Sequence, residues 1–116
     1  MIEFTVHGNP VPKQRPRLGR RNTTYTPQRT KNWEAEVGWI CKQNNPGLVP
    51  LQGEVAVWMV FYRKNRRRAD LTNMVKAIED GLNGVAYVDD NQIVESHTWK
   101  RIDKDDPRVE VKVKPI

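Results

Sequence analysis

The segment over residues 53–62, with the sequence GEVAVWMVFY, constrains the fold more than any other stretch of the chain. It is apolar almost throughout, a composition typical of a strand that lies inside a sheet. We therefore predict that this segment lies in the middle of a sheet.

Weaker patterns on both sides of this strand predict the remaining elements. Alternation of apolar and polar residues indicates strands, and apolar residues at helical spacing indicate helices. They comprise strands over residues 2–6, 93–101 and 109–113, a helix from Pro27 to residues 44–47, and a helix from Asp70 to residues 83–84. The order β-α-β-α-β-β predicts an α/β (α+β) class, a small single domain over residues 1–116 with a mixed sheet and two helices.

Charge is unevenly distributed along the chain, whose formal net charge is +6. Between Glu3 and Glu34 there is no acidic residue, whereas acids concentrate from Asp70 onward. The basic residues form two runs, Lys13, Arg15, Arg17, Arg20, Arg21, Arg29 and Lys31, and then Arg63, Lys64, Arg66, Arg67 and Arg68. Residues 13–25 have no clear periodicity and are predicted to form an extended or flexible arm. Charge alone leaves a nucleic-acid partner and a set of solvated basic loops equally open.

Several classes of function are excluded or weakly supported. Cys41 is the single cysteine, so neither an intrachain disulfide nor a cysteine-rich zinc site can form, and its apolar helical face predicts a buried structural thiol. His7 and His97 lie on separate predicted strands without a zinc motif, and there is no Walker loop for a nucleotide cofactor. The chain has no signal peptide and no membrane-length apolar run, so we expect a cytoplasmic protein with no membrane partner.

The helix that follows Asp70 has two opposed faces. Its apolar face comprises Leu71, Met74, Val75, Ile78 and Leu82, and its polar face comprises Asn73, Lys76, Asp80 and Asn83. An ordinary amphipathic helix would explain both faces, with Asp70 as N-cap and Lys76 and Asp80 as a surface ion pair. On the helix alone, this interpretation is preferred.

The flanks of this helix favour a functional interpretation. Three arginines at residues 66–68 precede it, and basic clusters beside a helix N-terminus are suited to phosphate. Two aspartates follow at residues 89–90, so Asp70, Asp80 and Asp90 can converge if the polar face lies against that loop. Two or three carboxylates, with phosphate oxygens and water, suffice for Mg²⁺, which can activate water for phosphodiester hydrolysis.

Three runs of residues form motifs at matched spacing. The run DLTNMVKAIEDGLNG at residues 70–84 fits the pattern D-x-D-N-x-x-K-x-x-x-D-x-L-x-G at all but one position, and DDNQI at residues 89–93 fits D-D-x-Q-[IV]. GNPVPKQRPR at residues 8–17 is similar to G-x-P-x-x-K-x-R-P-R. With these motifs in this order over most of its length, the chain resembles the RusA family of Holliday junction resolvases.

The resemblance implies a homodimeric α/β endonuclease of bacteria or their phages that acts in DNA recombination and repair. Such an enzyme needs Mg²⁺, for which Mn²⁺ is a plausible substitute, and cuts four-way DNA junctions by paired nicks. Carried over by position, the catalytic residues are Asp70, Lys76 and Asp90, and the two aspartates bind the metal. Lys76 could orient the carboxylates, contact the scissile phosphate or assist the leaving group. We assign contacts with the DNA backbone to Lys13, Arg15, Arg17, Arg20, Arg21, Arg66, Arg67 and Arg68.

One position departs from the family pattern. Thr72 stands where the pattern has an aspartate, and a neutral hydroxyl is a weaker metal ligand than a carboxylate. We expect Asp80, which lies on the polar face, or else Asp89 to complete the metal site; otherwise fewer protein ligands and more water hold the metal. The alternative is a branched-DNA-binding protein whose catalysis is weakened by Thr72. A basic interaction protein without a nucleic-acid role is a third interpretation.

Overall fold

The computed structural model describes residues 1–14, 17–19, 24–25 and 27–116. Its elements in chain order are β1 (Ile2–His7), β2 (Arg17–Leu18), β3 (Thr24–Tyr25), α1 (Gln28–Asn44), β4 (Val55–Arg63), α2 (Leu71–Gly81), a 3-10 helix (Asp90–Gln92), β5 (Ile93–Ile102) and β6 (Arg108–Pro115). The predicted α+β class, with a mixed sheet and two helices, is confirmed. The sequence patterns do not predict β2 and β3, because strands of two residues carry no detectable periodicity.

The main sheet has the strand order β1-β6-β4-β5, so β4 lies between two partners, as its apolar sequence predicts. It pairs antiparallel with β6, which places Met59 opposite Val111, and parallel with β5, which places Trp58 opposite His97. Because parallel neighbours need a crossover connection, the chain passes from β4 to β5 through α2. The start of α2 therefore follows the end of β4, and the loop after α2 leads into β5.

One face of the sheet packs against both helices and forms the hydrophobic core. Its members include Phe4, Val57, Met59, Phe61 and Val111 from the strands, and Trp33, Val37, Cys41, Met74 and Ile78 from the helices. Cys41 is completely buried, and this burial raises the pKa of its thiol to about 11. The prediction of a buried structural thiol is confirmed.

Two glycines allow α1 and α2 to pack with their backbones in near contact. A Cβ atom at Gly81 would lie 2.9 Å from the carbonyl oxygen of Glu34, and a Cβ atom at Gly38 would lie 3.0 Å from the carbonyl oxygen of Gly81. A larger residue at either position would separate the helices, because close-packed backbone leaves no space for it. This crossing places Glu34 of α1 beside the C-terminal end of α2, next to Asp80.

The opposite face of the sheet lines a broad groove. The side chains that line this groove include Thr5, Trp58, Val60, Trp99, Glu110 and Lys112. The rings of Trp58 and His97 stack with centroids 5.3 Å apart, and the Trp99 ring lies 6.5 Å from that of His97. Trp99 remains 40% exposed, so this face presents aromatic surface to solvent.

The helices differ slightly from their predicted bounds. Pro27 is the N-cap rather than the first residue of α1, which begins at Gln28, while Thr26 lies outside the described residues. α2 ends at Gly81, and Gly84 forms the turn that follows, with φ at 74°. Neither helix in the described part of the chain is long and apolar enough to cross a membrane.

The basic segment over residues 13–25 is anchored where it begins. The backbone amide of Lys13 donates to the carbonyl oxygen of Asn73, 2.8 Å away, which holds this segment against α2. β2 then pairs antiparallel with β3. The prediction of an extended or flexible arm otherwise falls on residues 15–16 and 20–23, which lie outside the described residues.

Candidate active site

One lysine joins the polar face of α2 to the loop that follows the helix. Lys76 and Asp80 lie about one helical turn apart, and the ammonium nitrogen Nζ of Lys76 lies 3.0 Å from Oδ1 of Asp80. The same nitrogen lies 2.8 Å from Oδ2 of Asp90. The structure thus brings together three of the residues that the sequence analysis selects.

A second lysine contacts the other oxygen of Asp80 from outside the helix. Nζ of Lys13 lies 3.0 Å from Oδ2 of Asp80 and 2.6 Å from Oε1 of Glu34 on α1. Glu34, Lys13, Asp80, Lys76 and Asp90 therefore alternate in charge, and we call this series the acid–lysine chain. Glu34 matches none of the motif positions, so the sequence patterns do not indicate it.

Most of the acid–lysine chain is shielded from water. The side chains of Lys13, Glu34, Asp80 and Asp90 are 18–24% exposed, whereas that of Lys76 is 49% exposed. Partly buried ion pairs are screened less than surface pairs, so they hold their geometry more firmly. The half-exposed ammonium of Lys76 is the member best placed to meet a ligand from solvent.

The carboxylates keep both lysines protonated. Hydrogen bonds to Asp90 and Asp80 raise the pKa of Lys76 well above its ordinary value of 10.5. Burial lowers the pKa of Lys13, but hydrogen bonds to Glu34 and Asp80 outweigh burial and raise the pKa overall. Neither lysine can serve as a general base near neutral pH, so each acts as a fixed positive charge and hydrogen-bond donor.

The side chain of Gln92 holds the turn that carries the aspartate pair. Its Nε2 donates to the carbonyl oxygens of Leu51 and Gly53, at 2.9 and 2.8 Å. Its Oε1 accepts from the backbone amides of Val88 and Asp89, at 2.8 and 2.9 Å. These four bonds connect the turn to the segment before β4. Because Asp90 directly follows Asp89 in this turn, they also fix the position at which Asp90 contacts Lys76.

A buried tyrosine anchors the loop between α2 and this turn. The hydroxyl of Tyr87 donates to the carbonyl oxygen of Glu79 at 2.7 Å, and the amide of Gly84 donates to the carbonyl oxygen of Tyr87 at 2.8 Å. Burial raises the pKa of the Glu79 carboxyl, although the charge of Lys76 lowers it. The loop is therefore tied to the end of the helix that it follows.

Asp89 and Asp70 occupy two helix N-termini but use their carboxylates differently. Oδ2 of Asp89 accepts from the amide of Asn91 at 3.1 Å and caps the 3-10 helix. Asp70 precedes α2, yet in the described part of the chain its side chain makes no capping hydrogen bond. Its Oδ2 lies 3.4 Å from Nδ2 of Asn73, a long contact. The carboxylate of Asp70 is thus exposed and available to a ligand.

The carboxylates suit a magnesium ion that keeps much of its water. Among the described residues, no group of three or more His, Cys, Asp or Glu side chains is arranged to hold a metal ion. Asp80 has one lysine on each oxygen, which leaves Asp70 and Asp90 as the better donors. Mg²⁺ takes hard oxygen ligands and commonly binds through one or two carboxylates, with water and substrate phosphate completing its shell. The donor chemistry of these two aspartates fits that description.

A basic pocket opens beside Asp70, at the N-terminal end of α2. The residues that line it are Arg63, Arg66, Arg67, Arg68, Ala69, Asp70, Lys100, Arg101 and Ile102. Nζ of Lys100 donates to the carbonyl oxygen of Ala69 at 3.3 Å, which ties the end of β5 to the arginine run. Sequence patterns do not indicate Lys100 and Arg101, because the parallel register of β4 and β5 places them at the pocket.

Arg63 lies beneath this pocket. It is 7% exposed, and its Nη1 donates to the carbonyl oxygen of Arg67. Its Nε has no hydrogen-bond partner within the described ranges. Leaving this buried donor unpaired costs stability. The positive charge of Arg63 lies at the pocket and adds to its attraction for anions.

The remaining predicted phosphate contacts are less completely described. Arg15, Arg20 and Arg21 lie outside the described residues, and for Arg17 the structure describes the backbone of β2 alone. Lys13 lies in the acid–lysine chain, where two of its three ammonium donors are taken by carboxylates. The third donor could still meet a phosphate.

Sequence comparisons identify relatives over the whole length of the chain. The family Endodeoxyribonuclease RusA matches residues 7–114. The crossover junction endodeoxyribonuclease RusA of Aquifex aeolicus (strain VF5) is 33% identical over 120 aligned positions, which cover 99% of this chain and 92% of that protein. The uncharacterized protein YqaN of Bacillus subtilis (strain 168) is 30% identical over 139 aligned positions, which cover 99% of this chain and 96% of that protein.

These matches and the geometry at α2 indicate the same class of protein, a nuclease that hydrolyses phosphodiester bonds in DNA. Fixed ammonium groups beside carboxylates, together with an arginine-lined pocket at the N-terminal end of α2, are suited to a phosphate backbone. The chain belongs to the RusA family of endodeoxyribonucleases, and the resemblance drawn from its motifs is confirmed.

Proposed function

We propose that this protein is a Mg²⁺-dependent, structure-selective DNA endonuclease that resolves four-way (Holliday) junctions in recombination and repair. The observation that carries the proposal is the Lys76 ammonium, held 2.8 Å from Asp90 and 3.0 Å from Asp80 in a chain of the RusA family. The name of the Aquifex aeolicus relative, a crossover junction endodeoxyribonuclease, supports the junction as substrate. A cytoplasmic location in a bacterium or a phage-infected cell would give access to such DNA.

The proposed metal ligands are Asp70 and Asp90, with Asp80 and Asp89 in supporting roles. Asp80 supports the site by holding two lysines, and Asp89 by capping the 3-10 helix that begins at Asp90. When bound, Mg²⁺ or Mn²⁺ would supply an activated water and neutralise charge on the phosphate. The ligand missing at Thr72 is then replaced by water, which Mg²⁺ retains readily.

Lys76 is proposed to stabilise charge on the scissile phosphate. Its ammonium has three donors, and Asp80 and Asp90 take two of them. The third can face a phosphate oxygen, where a preorganised positive charge favours the transition state over the ground state. Since the carboxylates raise its pKa, Lys76 remains charged at the pH of the cell.

The DNA backbone is proposed to follow the basic pocket away from the cleavage site. Arg66, Arg67 and Arg68 begin this path, and Lys100 and Arg101 extend it along the end of β5. The arm that contains Arg15, Arg17, Arg20 and Arg21, together with Lys13, is proposed to grip the other side of the junction. Contacts of this kind give affinity that depends strongly on salt and weakly on base sequence.

A homodimer is proposed because paired nicks require two active sites related by a two-fold axis. The groove on the open face of the sheet suits a second copy, since it combines the exposed ring of Trp99 with Glu110 and Lys112. A surface with charges of both signs can complement itself across a two-fold axis, whereas it would repel DNA in part.

Sedimentation should give a dimer for the wild type and a monomer for Trp99→Glu. A wild type that cuts junctions as a monomer would refute this arrangement.

The second candidate function is a branched-DNA-binding protein with weakened catalysis. It is favoured by Thr72, which is exposed in the first turn of α2, and by the missing group of three carboxylates in the described ranges. Such a protein would bind junctions through the basic pocket and leave them intact.

Cleavage of a labelled four-way junction separates the two functions. The wild type should nick the junction in Mg²⁺, and chelation with EDTA should stop cleavage while binding persists. Asp70→Asn and Asp90→Asn should bind the junction and fail to cut it. If the wild type and both variants bind without cutting, the branched-DNA-binding function is the correct one.

A further inference from the structure

Glu34 lies at the end of the acid–lysine chain, remote in sequence from the aspartates of the proposed metal site. Its Oε1 is 2.6 Å from Nζ of Lys13, a shorter contact than the 3.0 Å between Lys13 and Asp80. The side chain is 20% exposed, so DNA has limited access to it. Neither a direct DNA contact nor a surface ion pair therefore describes Glu34 well.

Two backbone features fix this end of the chain. The close crossing of α1 and α2 places the carbonyl oxygen of Glu34 where a Cβ atom of Gly81 would approach it to 2.9 Å. The amide of Lys13 donates to the carbonyl oxygen of Asn73 at 2.8 Å, one helical turn before Lys76. Lys13 is thus bonded to α2 through its backbone, and the backbone of Glu34 packs closely against α2, so both partners of the pair lie beside Asp80.

We propose that Glu34 is a positioning residue, which holds Lys13 on one oxygen of Asp80 so that the other oxygen holds Lys76 at the cleavage site. This inference rests on the proposed function, in which the Lys76 ammonium acts on the scissile phosphate. Glu34 itself touches neither the substrate nor the metal.

The charges explain why Glu34 is needed. Asp80 carries two ammonium groups, one on each carboxylate oxygen, and these groups repel each other. Glu34 supplies a second negative partner for Lys13 and so draws its charge away from Lys76. Without that partner Lys13 would depend on Asp80 alone and compete with Lys76 for its oxygens. Lys76, whose side chain is half exposed, is then the one that can move.

Such a displacement should lower the rate of the chemical step and leave binding intact. A misplacement of about 1 Å at a reacting group can cost on the order of 100-fold in rate. For Glu34→Gln we expect kcat to fall about 10-fold or more, within the range found when supporting residues around a metal site are changed. KM and the Kd for the junction in EDTA should change by less than about 2-fold, because the substitution removes no contact with the DNA backbone.

Glu54→Gln is the matched control. Glu54 is exposed, makes no ion pair in the described ranges, and lines neither the groove nor the basic pocket. The substitution removes the same charge from the protein, so an effect of net charge alone would appear in both variants. Equal kcat values for Glu34→Gln and Glu54→Gln would overturn the proposal.

A double-mutant cycle tests the route through Lys13. If Glu34 acts only through Lys13, then Glu34→Gln should cause little loss of kcat in a Lys13→Met background, because the ammonium that competes for Asp80 is absent there. Losses that multiply in the double variant would show that Glu34 acts by another route and would overturn the proposal. Thermal unfolding of each variant, with kcat measured well below the midpoint, excludes loss of folded protein as the cause.

An NMR measurement on the side-chain ammonium of Lys76 tests the positioning without cleavage. In metal-free protein, Glu34→Gln should shift or broaden the Lys76 signal, which Lys76→Ala assigns by its disappearance, whereas Glu54→Gln should leave it unchanged. An unchanged signal in Glu34→Gln would overturn the inference even if the enzyme is active. If the wild type cuts no junction but Glu34→Gln still shifts the Lys76 signal, the positioning role stands and the proposed function alone is refuted.

Discussion

The two ends of α2 handle charge in opposite ways. At the C-terminal end Asp80 is bonded to Lys13 and Lys76, and the crossing at Gly81 fixes Glu34 beside them. At the N-terminal end Asp70 is exposed, makes no capping bond in the described part of the chain, and opens onto an arginine-lined pocket. The carboxylate of Asp80 is paired on both oxygens within the protein, whereas the carboxylate of Asp70 is open to a ligand. The difference separates a charge that positions Lys76 from a charge that would bind metal.

The largest expected effect comes from removing the open carboxylate. Asp70→Asn should lower cleavage of a four-way junction in Mg²⁺ by about 10²–10³-fold, as loss of a key charge-stabilising group does. Because Asp70 is exposed and lacks a capping bond, the free energy of unfolding should change by less than about 0.5 kcal/mol. Asp105→Asn, in the exposed turn before β6, is the matched control and should leave both quantities unchanged. A large loss of stability in Asp70→Asn would contradict the assignment of Asp70 to the open end.

Asp80→Asn should show the reverse balance between stability and cleavage. It leaves two ammonium groups without their shared carboxylate, so the free energy of unfolding should fall by about 1–3 kcal/mol. Cleavage should fall about 10–100-fold, because Lys76 loses one of its two anchors. Denaturant unfolding and junction cleavage at one pH measure both. Stability like that of the wild type would mean that the acid–lysine chain does not hold the C-terminal end together.

Gly81→Ala tests the backbone contact that brings Glu34 to the site. Its Cβ would lie 2.9 Å from the carbonyl oxygen of Glu34, and backbone cannot move aside as a flexible side chain can. We expect a loss of about 1–3 kcal/mol in the free energy of unfolding, as for other overpacked positions. Lys31→Ala, at an exposed position of α1 outside the groove, should stay within about 0.5 kcal/mol of the wild type. An unchanged stability in Gly81→Ala would refute the close helix crossing.

The basic pocket should contribute a smaller, salt-dependent effect. Lys100→Ala removes one cation from the pocket, so the Kd for the junction should rise and the slope of log Kd against log salt should fall by about 1. Lys104→Ala removes the same charge from an exposed turn outside the pocket and should leave the slope unchanged. Equal slopes for the two variants would remove Lys100 from the DNA path.

The pH dependence of stability gives the smallest expected effect. The pKa of Lys76 is raised in the folded state, so its ion pairs stabilise the fold below 10.5 and this stabilisation is lost as pH rises through the folded-state pKa. Because Lys76 is half exposed, Lys76→Met should lower the free energy of unfolding by about 1 kcal/mol or less. The difference from wild type should be equal at pH 7 and 9.5 and should shrink above 10.5. Shrinkage already between pH 7 and 9.5 would mean that the carboxylates do not hold the proton on Lys76.

Sequence patterns predict those parts of the molecule that depend on neighbouring residues. The apolar run of β4 indicates a central strand, and the spacing from Asp70 to Asp80 indicates one polar helix face. The family motif then connects that face with Asp90 in the next turn. Each of these inferences depends on a pattern of residue types within one segment or on a short loop, and the structure agrees with each.

The contacts that complete the site depend on distant residues and escape such patterns. Lys13 and Glu34 lie 21 positions apart. They meet because the backbone of Lys13 is bonded to Asn73 and because Gly38 and Gly81 let the two helices cross closely. Lys100 reaches the pocket through the parallel register of β5 with β4. No periodicity within a single segment encodes either placement.

A crystal structure grown with Mn²⁺ tests the division between the two ends of α2 most directly. We predict a metal ion bound by carboxylate oxygens of Asp70 and Asp90, with water completing its shell and with Asp80 still bonded to Lys13 and Lys76. A metal ion bound instead by Asp80 or Asp89, with its lysine or capping bonds broken, would contradict the account.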